Sequence, residues 1–586
     1  MKLPASVIRW SVHRLQRLCR YGVNRWRWSA VPTLLALSIA AGTSCRPGTN
    51  DRPAESQSAR PHEPLDASAT SQSAEPAAAG PAETALAEND SAGAEPAGDS
   101  PPPSEQPAGD LPKDGPPQEG GSYDDRRKKI DYVDRNGAIF TDWPKPKLAV
   151  VFSADLHGYI EPCGCTGLEN QKGGLSRRHT LIRDLQQRGW PIVALDAGDL
   201  VRRVGPQAAI KYQRAIEALR TIGYGVIGFG SSDLKLPSED LLATLPQEQP
   251  APFISANVST VFDELGFRAP YQVIEAGGMR LGVTTVLAAA PGRKLQNADF
   301  EWVEPATALP GVLEKLSSEK CDRILLLANT SLEQARQLAA RFPEIDVIAV
   351  ATDSDPPAMN TIEVDGSKTR LVELGHKGMY VGVLAYFDDP ADPVRYQRVP
   401  LDGRFSDSQP MQALMWRYQE QLEALGLKGL GLRPIPHPSG RAFAGTATCA
   451  ECHADEYDIW KKTPHGHATE TLVQLAIPRQ YDPECLSCHV TGWEPQEYYP
   501  FVSGYGGLET TPLVLANGCE NCHGPGSEHV AAENGDVELT DEQIEALRAE
   551  MRLTIAEARK TDCARCHDLD NSPHFDFETF WPKIKH

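Results

Sequence analysis

The chain has 586 residues, a net charge of −21 at pH 7, 13 cysteines and 15 histidines. This length is sufficient for about three domains. The acidic charge balance provides no basic surface for nucleic acid, so we expect no nucleic-acid partner. Most of the cysteines stand in copies of one short motif near the C-terminus, which leaves too few for a disulfide framework.

Residues 1–45 are typical of a secretion signal. They contain Arg and Trp but no Asp or Glu, and a short apolar run is followed by small residues. The apolar run is too short to cross a membrane comfortably. Cys45 is a candidate for lipidation and membrane attachment, with a plain cleaved signal or an uncleaved anchor as the alternatives. We therefore predict a periplasmic or cell-envelope protein.

Residues 46–125 have the composition of a disordered tether. Ala, Pro, Ser, Glu and Gly dominate this segment, large apolar residues are almost missing, and acidic residues far outnumber basic ones. Such a segment cannot bury enough apolar surface to offset the entropy lost on ordering.

Residues 146–432 alternate between apolar strand patterns and helix patterns. The predicted strands are Lys147–Asp155, Pro191–Asp199, Gly225–Gly230, Arg323–Ala328 and Asp346–Ala351, with a helix at Leu332–Phe342. Polar residues gather where several of these strands end, which is where α/β folds place their functional sites.

Four motifs follow one another in this region: Asp155-Leu-His157-Gly, Gly173-Gly174-Leu with Arg177-Arg178, Asp196-Ala-Gly-Asp199, and Ile254-Ser-Ala-Asn257. Their order resembles that of the periplasmic 5′-nucleotidases, which belong to the calcineurin-like metallophosphoesterases. The resemblance covers roughly Lys147–Asp389. It implies a sandwich of two mixed sheets flanked by helices, with two metals that clamp a phosphate and activate water.

The metal ligands that this resemblance implies are only partly present. Asp155, His157 and Asp199 match the family pattern. The other ligand positions differ: Gly230-Ser231-Ser232-Asp233 replaces Gly-Asn-His-Asp/Glu, Asn329 replaces a lone His, and Ala351-Thr352-Asp353-Ser354 replaces Gly-His-x-His. Because Ser and Thr are poor ligands beside imidazole, we expect a loss of two-metal hydrolysis. One divalent metal at the three residues that are kept is the remaining prediction.

Cys163 and Cys165 follow His157 on a glycine-rich loop and are candidate catalytic residues. With His157 and Asp199 they could bind one thiophilic metal, or they could act as a thiol–disulfide pair. A structural disulfide or an inert turn is the alternative.

The last quarter of the chain contains four Cys-X-X-Cys-His motifs. The cysteine pairs are Cys449/Cys452, Cys485/Cys488, Cys519/Cys522 and Cys563/Cys566, followed by His453, His489, His523 and His567. This is the attachment motif of c-type haem, in which two thiols bond the vinyl groups and the histidine is an axial ligand. Paired zinc knuckles need no histidine after each second cysteine. The motifs therefore predict four c-type haems on residues 441–586.

The second axial ligand of most of these haems is predicted to be a histidine. Met551 is the only methionine between residues 441 and 586. Ligation by two histidines gives lower potentials than Met/His ligation. The free histidines in or next to this segment are His437, His465, His467, His529, His574 and His586.

Three stretches of this region resemble the tetrahaem cytochrome c-554 family: Trp460 to Ala468, Cys485 to Gly492, and Gly518 to His529. The resemblance implies a mainly α-helical multihaem domain in which His465 and His529 are distal ligands of haems other than their sequence neighbours. It also implies that the haem of His489 lacks a distal ligand from the protein. His574 and His586 are the remaining distal candidates, and His437 and His467 are interpreted as surface residues.

The leading hypothesis is an exported multihaem cytochrome that transfers electrons between redox partner proteins. The middle domain then serves as a scaffold or as an altered metal or redox site. One alternative is a redox enzyme acting on a small nitrogen or sulfur compound, at an open haem or at Cys163/Cys165. The other is a metal-dependent 5′-nucleotidase. The sequence alone does not decide whether the protein is an enzyme.

Overall fold

The computed structural model describes residues 127, 129–162, 167–245, 253–288 and 295–586. The predicted leader and tether, with Cys45, and the candidate residues Cys163 and Cys165 lie outside these ranges. Among the described residues, no helix is both long and apolar enough to cross a bilayer.

Two β-sheets form the centre of the middle domain. Its strands are β1 Leu148–Ser153, β2 Ile192–Asp196, β3 Tyr224–Ile227, β4 Phe253–Ile254, β5 Val258–Thr260, β6 Arg268–Ala269, β7 Gln272–Ala276, β8 Met279–Leu287, β9 Phe300–Trp302, β10 Arg323–Asn329, β11 Val347–Ser354, β12 Ile362–Glu363, β13 Arg370–Gly375, β14 Tyr380–Tyr386 and β15 Val394–Pro400. One sheet has seven strands in the order β15-β14-β1-β2-β3-β4-β6, and the other has six in the order β12-β13-β11-β10-β8-β7. Both sheets mix parallel and antiparallel pairs.

Helices cover the outer faces of both sheets. The helices up to residue 429 are α1 Tyr132–Asn136, α2 Leu175–Gln187, α3 Pro206–Ile222, α4 Ser238–Leu242, α5 Pro305–Ser318, α6 Leu332–Arg341 and α7 Gln409–Gly429. Helices α2, α3 and α7 pack on the seven-stranded sheet, and α5 and α6 pack on the other one. A third apolar cluster fills the space between the two sheets. The predicted two-sheet sandwich flanked by helices is confirmed.

The individual strand predictions agree with the structure to within a few residues at each end. Strand β1 is fully buried, as its continuous apolar sequence predicts. Helix α7 buries the predicted apolar face that includes Met411 and Leu422, but Gly426 departs from helical geometry near its end.

The region after residue 440 is built from short helices. They are α8 Thr446–Cys449, α9 Ala454–Trp460, α10 Ala468–Val473, α11 Pro483–His489, α12 Cys519–His523, α13 Ser527–Glu533, α14 Asp541–Glu550, α15 Ile555–Glu557, α16 Cys563–Cys566 and α17 Phe577–Phe580. A two-stranded ribbon pairs β16 Trp493–Glu494 with β17 Tyr499–Pro500. Its apolar cluster is small and includes Leu486, Trp493 and Tyr505. This agrees with the predicted mainly helical C-terminal domain.

A buried charged network joins β1, β2 and α2. The Arg178 guanidinium lies 3.5 Å from the Asp196 carboxylate, and both side chains are almost fully buried. The Ser153 hydroxyl donates to Asp196 at 2.5 Å and contacts the Tyr224 hydroxyl at 2.9 Å. The arginines of the Gly173-Gly174-Leu-Ser-Arg177-Arg178 motif are therefore structural residues, which fix α2 against the sheet.

Replacing Asp196 with Ala is expected to lower the free energy of unfolding by about 3–5 kcal/mol, because the buried Arg178 charge loses its partner. Urea denaturation followed by circular dichroism measures this change. Glu319→Ala is the control, because Glu319 pairs with Arg280 at the surface, and its loss is expected to cost less than about 1 kcal/mol. Equal effects of the two substitutions would contradict the structural role of the network.

Candidate functional site

Asp155, His157 and Asp199 form a cluster at the carboxyl ends of β1 and β2. Each offers a ligand atom within 4.8 Å of the others. The His157 Nε2 lies 3.9 Å from an Asp199 carboxylate oxygen. Because β1 and β2 are parallel neighbours, the loops that follow them meet at one edge of the sheet. Two carboxylates and one imidazole suit a divalent transition metal or magnesium, so these residues fit a cation. We call them the cation cluster.

The backbone around the cation cluster is held in an uncommon conformation. The φ angles of Asp155, His157 and Asp199 are 49°, 53° and 60°, in the left-handed region. The Asp155 and His157 amides donate to the carbonyls of Gly198 and Asp199 at 3.0 and 3.1 Å. Such conformations persist only where surrounding contacts fix them, and they concentrate at functional sites.

Asp233 holds the loop after β2 against the loop after β3. Its carboxylate accepts the backbone amides of Asp199 at 2.8 Å, Gly230 at 3.0 Å and Val201 at 3.2 Å. Gly198 packs so closely that a Cβ atom there would lie 2.6 Å from the Gly230 nitrogen. Asp233, which occupies the last position of the altered Gly-Asn-His-Asp/Glu motif, therefore orders the loop.

The cation cluster concentrates negative charge in a buried place. Burial raises the pKa of the Asp155 carboxyl well above its usual value, and the charges of Asp199 and Asp353 raise it further. A bound cation would favour the ionised form of these carboxylates. Its positive charge offsets both the loss of hydration on burial and the repulsion between the carboxylates.

Asp353 and His376 also reach the cation cluster, and sequence reasoning did not select them as site residues. An Asp353 carboxylate oxygen lies 3.6 Å from His157 Nδ1 and 3.1 Å from His376 Nδ1. The hydrogen bond with His376 lowers the pKa of Asp353. These two residues lie at or just beyond the carboxyl ends of β11 and β13, and that position is the signal that could have identified them.

Asn329, Thr352 and Ser354, which stand at three of the missing ligand positions, line a cavity of about 600 Å³ together with Glu373 and the cation cluster. The Ser354 hydroxyl donates to the Glu373 carboxylate at 2.8 Å, and the Thr352 hydroxyl donates to the Leu374 carbonyl at 3.0 Å. Hydroxyl and amide groups around the Glu373 carboxylate therefore stand where the family's second-metal histidines are expected.

Three of the four motif histidines have a fixed ring orientation. The Nδ1 atoms of His489 and His523 each lie 2.7 Å from a backbone carbonyl, those of Ala468 and Met551. The Nδ1 of His567 lies 3.1 Å from the Ser572 hydroxyl. A carbonyl acceptor requires hydrogen on Nδ1, which leaves the Nε2 lone pair for a metal.

Two pairs of imidazoles face each other across the haem motifs. The ring centres of His465 and His567 are 6.1 Å apart, and those of His523 and His586 are 5.8 Å apart. Two metal–nitrogen bonds of roughly 2.0 Å, plus the distance from each nitrogen to its ring centre, give a spacing of about 6 Å for a shared axial metal. Burial and the neighbouring His567 lower the pKa of His465 to about 4, so this ring is neutral, as a ligand must be. Both pairs fit haem iron.

The cysteines of different motifs lie next to each other. The Cys449 thiol hydrogen-bonds with Cys519, and the Cys488 thiol hydrogen-bonds with Cys566. The first motif therefore lies beside the third, and the second lies beside the fourth. A small cavity of about 50 Å³ is lined by residues of the first and third motifs with His465 and His586.

Cys452 is the exception among the eight motif cysteines. A haem-attachment thiol is expected to be at least partly buried beside the macrocycle, and the other seven are, whereas Cys452 is exposed. The reason is local: α8 ends at Cys449, so Cys452 lies in the turn before α9, whereas α11 and α12 continue through both cysteines of their motifs. Cys449 and His453 line the small cavity and Cys452 does not. The thioether bond of Cys452 to haem stays a prediction.

The other candidate histidines have varied surroundings. The His529 Nδ1 is buried and lies 3.7 Å from Glu533, and His574 is exposed. His467 is exposed with its Nδ1 2.9 Å from Glu470, while the His437 ring packs against Phe501. In the described part of the chain, no imidazole faces His453 or His489 at the spacing of the two pairs above.

The two domains meet on the side that carries the cation cluster. Lys211 pairs with Glu484 at 2.7 Å, directly before Cys485. Glu161 pairs with Arg479, and the Gln207 amide donates to Asp482 at 2.7 Å. Helix α3 and the loop after β1 therefore contact residues 479–484, directly before the second haem motif.

Residues 448–524 match the family model "Cytochrome c554 and c-prime". Cytochrome c-554 of Nitrosomonas europaea is 32% identical over 97 residues, which cover 14% of this chain and 39% of that protein. The snake venom 5′-nucleotidase of Gloydius brevicauda is 23% identical over 319 residues, which cover 49% of this chain and 53% of that protein. The chain joins a 5′-nucleotidase-like domain to a cytochrome c554-type domain.

The chain spans about half the length of the nucleotidases that it resembles. A 5′-nucleotidase precursor from Thermus thermophilus aligns over 47% of this chain and 59% of its own, at 18% identity and a TM-score of 0.38. The match to the cytochrome c554 family implies covalently bound c-type haem in the C-terminal domain.

The cation cluster is expected to bind one Mn²⁺ per chain, because Asp155, His157 and Asp199 converge, while Asn329, Thr352 and Ser354 replace the histidines of a second site. Isothermal titration calorimetry of the purified protein measures the stoichiometry. Asp199→Asn should abolish binding, and Asp134→Asn, an exposed carboxylate in α1, should leave it unchanged. Two bound Mn²⁺ ions in the wild type would contradict the single site.

Proposed function

We propose that this protein is an exported electron-transfer cytochrome with four c-type haems in its C-terminal domain. The observation that carries the proposal is the spacing of about 6 Å between the rings of His465 and His567 and between those of His523 and His586. Both pairs lie beside cysteine pairs of the haem-attachment motif. Covalent haem attachment outside the cytoplasm agrees with the signal-like leader. Lipid attachment at Cys45 is part of the same proposal.

The motif spacing and these contacts support one assignment of the haem ligands. His453, His489, His523 and His567 are the proximal ligands, His465 is the distal ligand opposite His567, and His586 is the distal ligand opposite His523. His529, with its buried Nδ1, and His574 are the candidates for the remaining haems. Haem ligated by two histidines is low-spin and has a lower potential than haem with a methionine ligand.

The haems supply reversible one-electron chemistry, and the protein supplies their spacing. Cys449 against Cys519 and Cys488 against Cys566 bring the attachment points of different motifs into contact. Attachment points this close favour closely packed haems, through which electrons pass between a donor and an acceptor protein. The net charge of −21 favours redox partners with basic surfaces and disfavours nucleic acid.

The 5′-nucleotidase-like domain, in this proposal, binds a single cation and does not hydrolyse phosphate esters by a two-metal mechanism. Asp155, His157 and Asp199 retain one ligand set, with Asp353 and His376 adjacent to it. A two-metal mechanism needs ions on both sides of the phosphate, and Ser and Thr at the second side do not hold one. The domain then serves as a scaffold with an altered metal site.

Replacing His465 with Ala should convert the haem of His567 from low-spin to high-spin, because its iron loses one axial nitrogen. Electron paramagnetic resonance and optical spectra of the oxidised protein measure the conversion. His467→Ala is the matched control, two residues away and exposed, and its spectra should equal those of the wild type. A low-spin signal retained in full by His465→Ala would remove His465 from the ligand set.

Hydrolysis of adenosine 5′-monophosphate should be undetectable when Mn²⁺, Zn²⁺ or Mg²⁺ is added, because the second metal lacks ligands. Release of inorganic phosphate by the full-length protein measures the activity. Phosphate release that Asp199→Ala eliminates would instead establish the metal-dependent phosphoesterase, which the retained cation cluster makes the second candidate function.

A further inference from the structure

One carboxylate connects the C-terminal haem motif with the rim of the cation cluster. Asp570, three residues after His567, pairs through one oxygen with Arg202 at 2.9 Å and through the other with Lys377 at 2.8 Å. The Lys377 ammonium also donates to the Asp570 carbonyl at 3.3 Å. A single residue of the cytochrome domain is therefore held by two cationic side chains of the other domain.

Both of these cationic residues belong to loops that carry the cation cluster. Arg202 lies three residues after Asp199, and Lys377 follows His376 directly. Arg202 is also close enough to Asp353 for the two charges to interact. The Lys377 ammonium lies 5.1 Å from the centre of the Tyr159 ring, which follows His157 in the same loop. Arg202 thus interacts both with Asp353, beside the cation cluster, and with Asp570.

On the haem side, Asp570 belongs to a tight turn that also orients His567. The Asn571 amide donates to Asp568 at 2.7 Å, and the Ser572 hydroxyl lies 3.1 Å from His567 Nδ1. A shift of Asp570 would therefore act on the residues that hold the proximal ligand. The Lys377 side chain is mostly buried at this contact, whereas Arg202 and Asp570 remain partly exposed to solvent.

We propose that cation binding at Asp155, His157 and Asp199 and the oxidation state of the haem at Cys563, Cys566 and His567 are thermodynamically linked through Asp570. This inference rests on the proposed function, since it requires both the haem and the cation. A bound cation attracts the Asp353 carboxylate beside the cluster, with which Arg202 also interacts. Arg202 then acts more strongly on Asp570 and weakens the negative charge beside the haem. The ferric haem carries one positive charge more than the ferrous haem. It therefore loses more of the stabilisation that the negative charge of Asp570 provides.

The linkage has two measurable consequences that must agree. Mn²⁺ should shift the midpoint potential of one haem to a more positive value. By reciprocity, the reduced protein should bind Mn²⁺ more tightly than the oxidised protein, on the order of fivefold. Both quantities can be measured on the full chain, by optical redox titration with and without Mn²⁺ and by the resonance signal of free Mn²⁺ in each redox state.

Asp570→Asn tests whether the linkage between cation binding and haem oxidation depends on the Asp570 carboxylate. It should reduce the difference in Mn²⁺ affinity to less than about twofold, because the neutral amide no longer pairs with Arg202 and Lys377. Asp576→Asn is the matched control in the same segment, because Asp576 caps α17 and Asn is an equally good capping residue. Its affinity difference should match the wild type. If Asp570→Asn fails to fold, Arg202→Gln breaks the same contact from the other domain.

The outcomes separate this inference from the proposed function. Haem content and Mn²⁺ stoichiometry are measured first. A wild-type protein that lacks haem overturns both, and one that contains haem but binds no Mn²⁺ overturns the linkage and the single cation site. When both are present, equal Mn²⁺ affinity in the two redox states overturns the linkage and leaves the cytochrome intact. An affinity difference that persists unchanged in Asp570→Asn and Arg202→Gln also overturns the role of Asp570.

Discussion

Parallel pairing of β1 with β2 brings the loops that follow both strands to one edge of the seven-stranded sheet. Asp233 accepts three backbone amides and so ties the loop after β2 to the loop after β3, and a close approach of Gly198 to Gly230 leaves no room for a side chain there. The loops after β1 and β2 also supply Glu161 and Arg202, which contact the cytochrome domain. The geometry of the cation cluster and the docking of the two domains are therefore set by the same backbone constraint, and a change in one is expected to disturb the other.

The cytochrome domain depends on a different balance of forces. Its helices are short, and short isolated helices are marginal in water. Its apolar cluster is small compared with the three clusters of the middle domain. Covalent haem attachment and axial ligation can supply the cross-links and the apolar surface that the side chains do not. The hydrogen bonds that hold His489, His523 and His567 by Nδ1 show how the fold prepares these rings for ligation.

The sequence predicted features that depend on neighbouring residues, and it missed contacts between residues that are far apart in the chain. Continuous apolar runs predicted the buried strands, and the Cys-X-X-Cys-His spacing predicted the haem attachment points. His376 was missed because it follows β13, while its partner Asp353 belongs to β11. The approach of the His465 ring to the His567 ring could not be predicted from the spacing of the motifs, since about a hundred residues separate the two in the chain. The contacts of Asp570 with Arg202 and Lys377 likewise depend on how the two domains pack.

The second metal site would not be restored by changing one residue back to the family's ligand. Thr352 and Ser354, which replace the family's histidines, are hydrogen-bonded to each other at 2.9 Å and to Glu373 at 3.2 and 2.8 Å. A histidine at either position would displace these bonds and leave the Glu373 carboxylate with fewer partners, which costs free energy in a partly buried site. Asn329 and Ser232 would have to change as well, and the Ser232 amide now donates to the Asp199 carboxylate at 2.9 Å. The polar wall is thus a self-consistent hydrogen-bonded structure, and it holds the cluster carboxylates in place for one cation.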